Sequence, residues 1–386
     1  MFASEAKTLL EKLMAEGGRK PDHRERRDFL KFSALASGAV VLAGCQIATM
    51  TGDDLAISNA TSLPLPTSDP SATPTDTPMR TEIPPVDTTG RVVLVRTDDR
   101  DAGIRRALEL WDQNSVQGKE LFLKPNFNSA DAFPGSTHIE TLKIIIEELT
   151  SMGAGYITIG DRSGMGDTRL VMQSKGVYTL ADELGVSTLV FDELDAENWE
   201  LRQPSGSHWL AGFAVPKPVL AADGIVQTCC LKTHRYGGHF TLSLKNSVGL
   251  AAKRIPGNAY NYMTELHNSV HQRRMIAEIN QVYQPDLVLL DGMEAFINGG
   301  PARGSKVFPG VILAGSDRVA VDAVGVAILR YFGTTPEVSG GKIFEQEQIA
   351  RAVELGLGVS EPGRIDFVTG DERSKEFGRE LMDLLA

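Results

Sequence analysis

From Arg91 to the C-terminus, short apolar or β-branched runs alternate with longer stretches in which apolar residues recur with helical period. The short runs are Val92–Val95, Leu121–Leu123, Tyr156–Ile159, Ser187–Phe191, Ile225–Cys230, Leu287–Leu290 and Val311–Leu313. Each has the length and continuous apolar character of a strand buried on both faces. Between them the pattern predicts helices over Ile104–Trp111, Ile139–Met152, Thr168–Lys175, Thr179–Leu184, Val270–Tyr283, Val319–Phe332 and Gln346–Leu355. Such alternation predicts an α/β fold: a mostly parallel or mixed sheet with helices on both faces, built as one large domain or as two lobes. No internal repeat is visible.

The polar residues that follow these runs predict where chemistry sits. Lys124 and Asn126 follow one strand, and Asp161, Arg162 and Ser163 follow the next. Lys232 and His234 follow Ile225–Cys230, Asp291 and Glu294 follow Leu287–Leu290, and Asp317 and Arg318 follow Val311–Leu313. Open α/β sheets bind ligands beyond the carboxyl ends of their strands, so these five groups are expected to converge. A solvated loop explains any one of them, but not two apolar runs that lead directly into a lysine.

Two glycine-rich segments, Gly160–Gly166 and Asn298–Gly304, allow backbone N–H groups to approach an anion, the first at the start of the helix near Thr168. Neither is a dinucleotide fingerprint or a Walker loop, and either also reads as a plain turn. The densest polar segment is Lys232–Ser247, with Lys232, Arg235 and Lys245 as cations and His234 and His239 as imidazoles. With Thr241 as a helix cap, Lys245 falls one turn later, so Lys232 and Lys245 bracket an anion while a histidine moves a proton. Lys232, Lys245 and His234 are the candidate catalytic residues. Lys124, Asn126, Asp161, Ser163, His239, Asn246 and Gly300 are the candidate ligand contacts.

A divalent metal is the candidate cofactor, with Asp291 and Asp322 as its ligands and phosphate oxygens completing the shell. His267 and His271 are four residues apart but lack the glutamate of the zinc protease motif. There is no Cys-x-x-Cys, which argues against a cysteine-ligated iron–sulfur cluster, and the adjacent Cys229 and Cys230 read as two small core residues. The absence of Gly-x-Ser-x-Gly disfavours a serine hydrolase.

The first 90 residues carry a different pattern. Arg26-Arg27 precede the thirteen-residue apolar run Phe32 to Gly44, which ends in Leu42-Ala43-Gly44-Cys45. That run suits a signal peptide and is too short to span a bilayer, which takes about 20 residues. Residues 1–45 therefore read as a twin-arginine signal with a lipoprotein box, lipidated at Cys45, and predict an extracytoplasmic protein held to the membrane by its acyl anchor. Glu25 stands where the twin-arginine pattern usually has Ser or Thr. Residues 46–90, with seven prolines from Pro64 to Pro85 among Ser, Thr and Asp, read as a disordered linker, leaving 91–386 as the folded domain. The chain carries a formal charge of −11; eight Lys/Arg and six Asp/Glu lie in residues 1–45, so the remainder stands at −13. Such a surface excludes nucleic acid as a partner and gives no attraction to anionic lipid.

Several ordered blocks resemble the domain of unknown function 362 family. They are Leu123-Lys124-Pro125-Asn126, Ile225 through Lys232-Thr233-His234, and Thr241-Leu242-Ser243-Leu244-Lys245-Asn246 with Gly249. Asp286 to Gly292, Gly300-Pro301 with Gly304, and Asp317 with Ala320–Ala323 resemble its later blocks, so the likeness runs from about Arg91 to Gly370. The resemblance implies the α/β fold and no particular activity. Some members carry an appended ferredoxin-like cysteine cluster, which hints at redox work; this chain has none. The reading is an exported, lipid-anchored protein with an anion-binding cleft, acting as an enzyme on a phosphorylated or carboxylated small molecule. The alternatives are a ligand-binding or redox-partner lipoprotein without chemistry, and a metal-dependent hydrolase.

Overall fold

The central strands are apolar because both of their faces are covered. In the computed structural model, which describes residues 89–111 and 116–386, ten strands form one mixed, mostly parallel sheet. Its strands are β1 (Gly90–Arg96), β2 (Glu120–Lys124), β3 (Tyr156–Asp161), β4 (Ser187–Val190), β7 (Gly224–His234), β8 (His239–Thr241), β9 (Leu287–Gly299), β10 (Gly304–Val307), β11 (Val311–Gly315) and β12 (Ile365–Val368). β5 (Trp199–Arg202) and β6 (Phe213–Pro216) form a separate antiparallel ribbon. The order across the sheet is β12-β1-β11-β9-β7-β2-β3-β4, with β8 and β10 returning as hairpins on β7 and β9. From β9 through β4 every neighbouring pair is parallel, whereas β11 runs antiparallel to both β9 and β1.

Alternate residues of each strand enter opposite cores, as the pleat requires. Val93, Val95, Leu121, Leu123, Leu287 and Leu289 pack against Ile104 and Leu108 of helix Arg100–Leu110 and Leu142 and Ile145 of helix Ile139–Ser151. On the other face, Val92, Leu94, Val288, Leu290 and Leu313 meet helices Arg318–Tyr331, Glu347–Glu354 and Glu372–Leu385. A third cluster places Phe122 and Ile225 under the β5–β6 ribbon and helix Gln272–Ile279. The described residues fall in one compact unit rather than two lobes. Cys229 and Cys230 are buried free thiols.

All seven predicted strands form, most ending within two residues of their apolar stretches, but two run four or more residues further. β7 continues to His234 and β9 to Gly299 because the hairpin strands β8 and β10 satisfy their backbones beyond the sheet edge. The helix predicted over Val270–Tyr283 is shorter: helix Tyr262–Asn268 ends, His271 caps a new one at Gln272–Ile279, and a 3₁₀ turn follows. The hairpin strands, the β5–β6 ribbon, β12 and helix Glu372–Leu385 go beyond the elements predicted from the sequence pattern. The signal predicted over residues 1–45, with Cys45, lies outside the described residues, as does the predicted linker except for Thr89 and Gly90. Among the described residues, no helix is long and apolar enough to cross a membrane.

Arg318 ties the two halves of this arrangement together. Fully buried at the start of its helix, it donates to Asn280 Oδ1 at 2.9 Å, to the Asn280 and Tyr283 carbonyls at 3.1 and 2.9 Å, and to Gln284 Oε1 at 3.1 Å, and it lies over the Tyr283 ring. Replacing it with methionine keeps most of the volume but strands buried acceptors, so Arg318→Met should lower unfolding free energy by about 3 kcal/mol. Urea denaturation checks this, and an unchanged midpoint would show that the guanidinium is not structural.

Candidate functional site

The chain leaves β2 toward β3 on one side, while β7, the other neighbour of β2, leads to β9 on the opposite side. This is the point where an open sheet parts its connections and leaves a crevice at the strands' carboxyl ends. β2 and β7 are in register there, Lys124 opposite Gln227. Lys124 ends β2, Asp161 ends β3, and the extension of β7 carries Lys232 and His234 past the sheet edge. The β8 hairpin then returns the chain into the one-turn helix Ser243–Asn246, which delivers Lys245 and Asn246.

A buried polar chain connects these elements. Lys124 Nζ lies 2.6 Å from Asp161 Oδ1 and donates to the Pro125 carbonyl at 2.7 Å and to Asn246 Oδ1 at 3.2 Å. Asp161 accepts two backbone bonds besides, from Arg162 at 2.7 Å and Phe127 at 2.8 Å. Asn246 Oδ1 also accepts from Asn126 Nδ2 at 3.1 Å, and Asn126 Oδ1 accepts from Lys232 Nζ at 2.9 Å. Gly249 backs the ion pair so closely that a Cβ there would lie 2.6 Å from Asp161 Oδ1 and 2.7 Å from Lys124 Nζ. Any side chain at 249 therefore displaces the pair.

The network walls a cleft of about 40 Å³, room for a few water-sized atoms. Lys124, Arg162, Lys232 and Lys245 line it with a single carboxylate, Asp161, which already pairs with Lys124. Arg162 is 2% exposed and donates to the Val248 and Ser163 carbonyls and to Met263 Sδ, while its Nε is buried without a partner. Among the described residues Lys245 makes no hydrogen bond or ion pair, although it is only 8% exposed. Burial, then the charges of Lys232 and Arg162, push its ammonium down to about 8. Burial lowers Lys232 and Arg162 as well. His234 falls well below the usual imidazole range through burial and through Lys245 and Lys232, so it is neutral at pH 7. Its Nδ1, with Thr241 Oγ1 and Asn128 Nδ2 of the same wall, is buried without a partner. Three such groups on one cleft wall leave hydrogen-bonding capacity directed at the cleft.

The structure thus brings together Lys124, Asn126, Asp161, Lys232, His234, Lys245 and Asn246. Other candidates lie apart. Ser163 is buried behind the cleft, its backbone donating to Thr168 Oγ1. Gly300 sits beside the cleft-lining Pro301 with its backbone against the Thr233 carbonyl. His239 is half-buried and has Arg273, Glu337 and Glu347 as its charged neighbours. Thr241 does not cap a helix: Asp322, from helix Arg318–Tyr331, accepts from the Ser243 and Leu244 N–H groups at 2.7 and 3.0 Å. The helix at Thr168 offers no open N-terminus, since Asp167 caps it.

Asp291 and Asp322 cannot share one metal ion. Asp291 alternates with Leu290 onto the face of helices Arg100–Leu110 and Ile139–Ser151, where it meets Arg100 at 3.0 Å and Thr141, whereas Asp322 belongs to the opposite layer. Among the described residues no group of three or more His, Cys, Asp or Glu is placed to hold a metal. Asp317 and Arg318 also stand away from the cleft, because antiparallel β11 sends its carboxyl end to the other edge of the sheet. Glu294 pairs with Lys306. Asn128 and the unpartnered Thr241 hydroxyl went unrecognised in the sequence; the signal for Asn128 was its place two residues after Asn126 beyond β2.

A family model described as a domain of unknown function (DUF362) matches residues 121–327. The thylakoid-associated protein sll1697 of Synechocystis sp. is 25% identical over 217 residues, covering 55% of this chain. The match spans 64% of that relative's own length. The solved lactate racemase apoprotein from Thermoanaerobacterium thermosaccharolyticum superposes on 63% of this chain and 58% of its own at a TM-score of 0.41 and 17% identity.

The surplus cation has a measurable cost. Lys245 has its pKa lowered on folding, so the unfolded chain binds more protons between about 8 and the ordinary lysine value, and this residue's contribution to stability rises with pH across that window. Below it the penalty is complete. Lys245→Met should therefore stabilise the anion-free protein by roughly 2–3 kcal/mol at pH 7. In chemical denaturation across pH the gain should vanish above about pH 10.5, and a destabilised variant at pH 7 would mean that the ammonium is held by protein alone.

Proposed function

We propose that this chain, which belongs to the domain of unknown function (DUF362) family through residues 121–327, binds a small phosphorylated or carboxylated molecule in the β2–β7 cleft and acts on it as an enzyme. One observation carries the reading: four buried cations line the cleft with a single carboxylate, and that carboxylate is already paired. Uncompensated buried charge is expensive, and a bound anion is the natural compensation. Arg162, Lys232 and Lys245 neutralise the ligand's charge. Asn126 and Asn246, each held by two or more hydrogen bonds, keep those donors in place. Lys124 acts through Asp161, fixing the loop after β3. Neutral His234, with Nδ1 free, is the general base that takes a proton from the bound molecule.

The twin-arginine and lipobox pattern of residues 26–45 supports placing this site outside the cytoplasm on a lipid anchor at Cys45. The name of the Synechocystis relative, thylakoid-associated, accords with a membrane setting.

Inorganic phosphate, sulfate and acetate, titrated against the full chain in thermal unfolding, test the cleft. The anion that fits should raise stability by about 2.7 kcal/mol at a hundredfold excess over its Kd, and Lys232→Met should abolish that rise. If no anion shifts the transition and native mass spectrometry finds none retained, the cleft is not an anion site. For the anchor, metabolic labelling with palmitate should mark the wild type and not Cys45→Ser, whose fractionation should move from membrane to soluble; labelling independent of Cys45 would refute it.

A further inference from the structure

Lys245 and His234 converge across a glycine. A Cβ on Gly238 would fall against Lys245 Cε and 3.2 Å from His234 Nδ1, so the bare glycine is what lets the two side chains share one wall of the cleft. The lysines of this cleft differ in kind. Lys124 has a carboxylate and two oxygen acceptors, and Lys232 donates to Asn126 and the Gly135 carbonyl, so both already have protein acceptors. Lys245, nine-tenths buried, donates to nothing among the described residues. A lysine desolvated beside other cations gives up its proton readily, and the neutral amine is a nucleophile toward carbonyl carbon. The values agree, since its ammonium is held at about 8.

We propose that Lys245 is a covalent nucleophile that forms an imine with a small carbonyl compound whose carboxylate or phosphate lies among Arg162 and Lys232. The inference rests on the anion-binding reading above and deepens it by naming the reacting group of the ligand. The Nζ lone pair attacks the carbonyl carbon, and the C=O π pair moves to oxygen. Both amine protons pass in turn from nitrogen to His234 Nδ1 and on to that oxygen. The C–O bond then breaks, water leaves, and the C=N bond remains, with nothing oxidised or reduced. His234 suits the relay because it is uncharged and its Nδ1 has no other partner. The small cleft restricts the ligand to a few atoms beyond the anion.

The full chain is incubated at pH 8 with pyruvate or with glycolaldehyde phosphate, each with cyanoborohydride to reduce the C=N bond to a stable amine, and modified lysines are mapped by peptide mass spectrometry. Lys245 should react roughly tenfold faster than exposed Lys342 and Lys375. Which probe reacts faster separates carboxylate from phosphate. Excess inorganic phosphate should protect Lys245, and the rate should drop as pH falls below about 8. His234→Gln should slow labelling several-fold while phosphate still raises its melting temperature. Label confined to exposed lysines, in protein that phosphate still stabilises, would overturn the imine and leave the anion site standing. If neither phosphate nor acetate stabilises or protects, the anion-binding reading falls too.

Discussion

The buried contact between Lys124 and Asp161 is the constraint on which the rest of the site depends. It joins the ends of two adjacent parallel strands in a place where burial alone pushes the ammonium down and the carboxyl up. The 2.6 Å approach and two backbone N–H groups on Asp161 oppose that desolvation. Neither partner is dispensable, because a single charge left at that depth costs several kcal/mol. The pair also fixes its neighbours. Gly249 has no side chain because the pair occupies the space, and the Asn246 amide is oriented by Lys124.

From that fixed point the polar chain runs through Asn246 and Asn126 to Lys232, tying β2, β7 and the helix Ser243–Asn246 into one frame. The frame is anchored from behind. Asp322, pushed up to about 8 by burial, nevertheless accepts both N–H groups that open the helix carrying Lys245. Four residues before Asp322 on helix Arg318–Tyr331, Arg318 holds the segment Asn280–Gln284. Residues that read as metal ligand or strand-end polar group thus serve as supports, while the groups they support carry the unsatisfied charge.

That division follows a common physical pattern. The Lys124–Asp161 pair is partnered on both sides, whereas among the described residues Lys245, His234 Nδ1 and the Thr241 hydroxyl have no partner at the cleft wall. A protein retains such groups at the expense of stability where a ligand completes them.

The α/β class, the seven core strands and the carboxyl-edge location were legible in the sequence, because buried parallel strands need continuous apolar runs and the chain turns polar where it leaves the sheet. So were the individual residues Lys124, Asn126, Asp161, Lys232, His234, Lys245 and Asn246, through their types and their places after or beside those runs. Strand direction was not: β11 runs against its neighbours, so Asp317 and Arg318 end at the far edge although they follow a strand as directly as Lys124 does. Nor was the face a residue takes, which sends Asp291 and Asp322 to opposite layers. Local pattern is set by the solvent exposure of single residues, and the sequence by itself determined that much. Which polar groups meet, which are satisfied and which are left open depends on pairings between segments from tens to more than a hundred residues apart, and only the tertiary structure decides those.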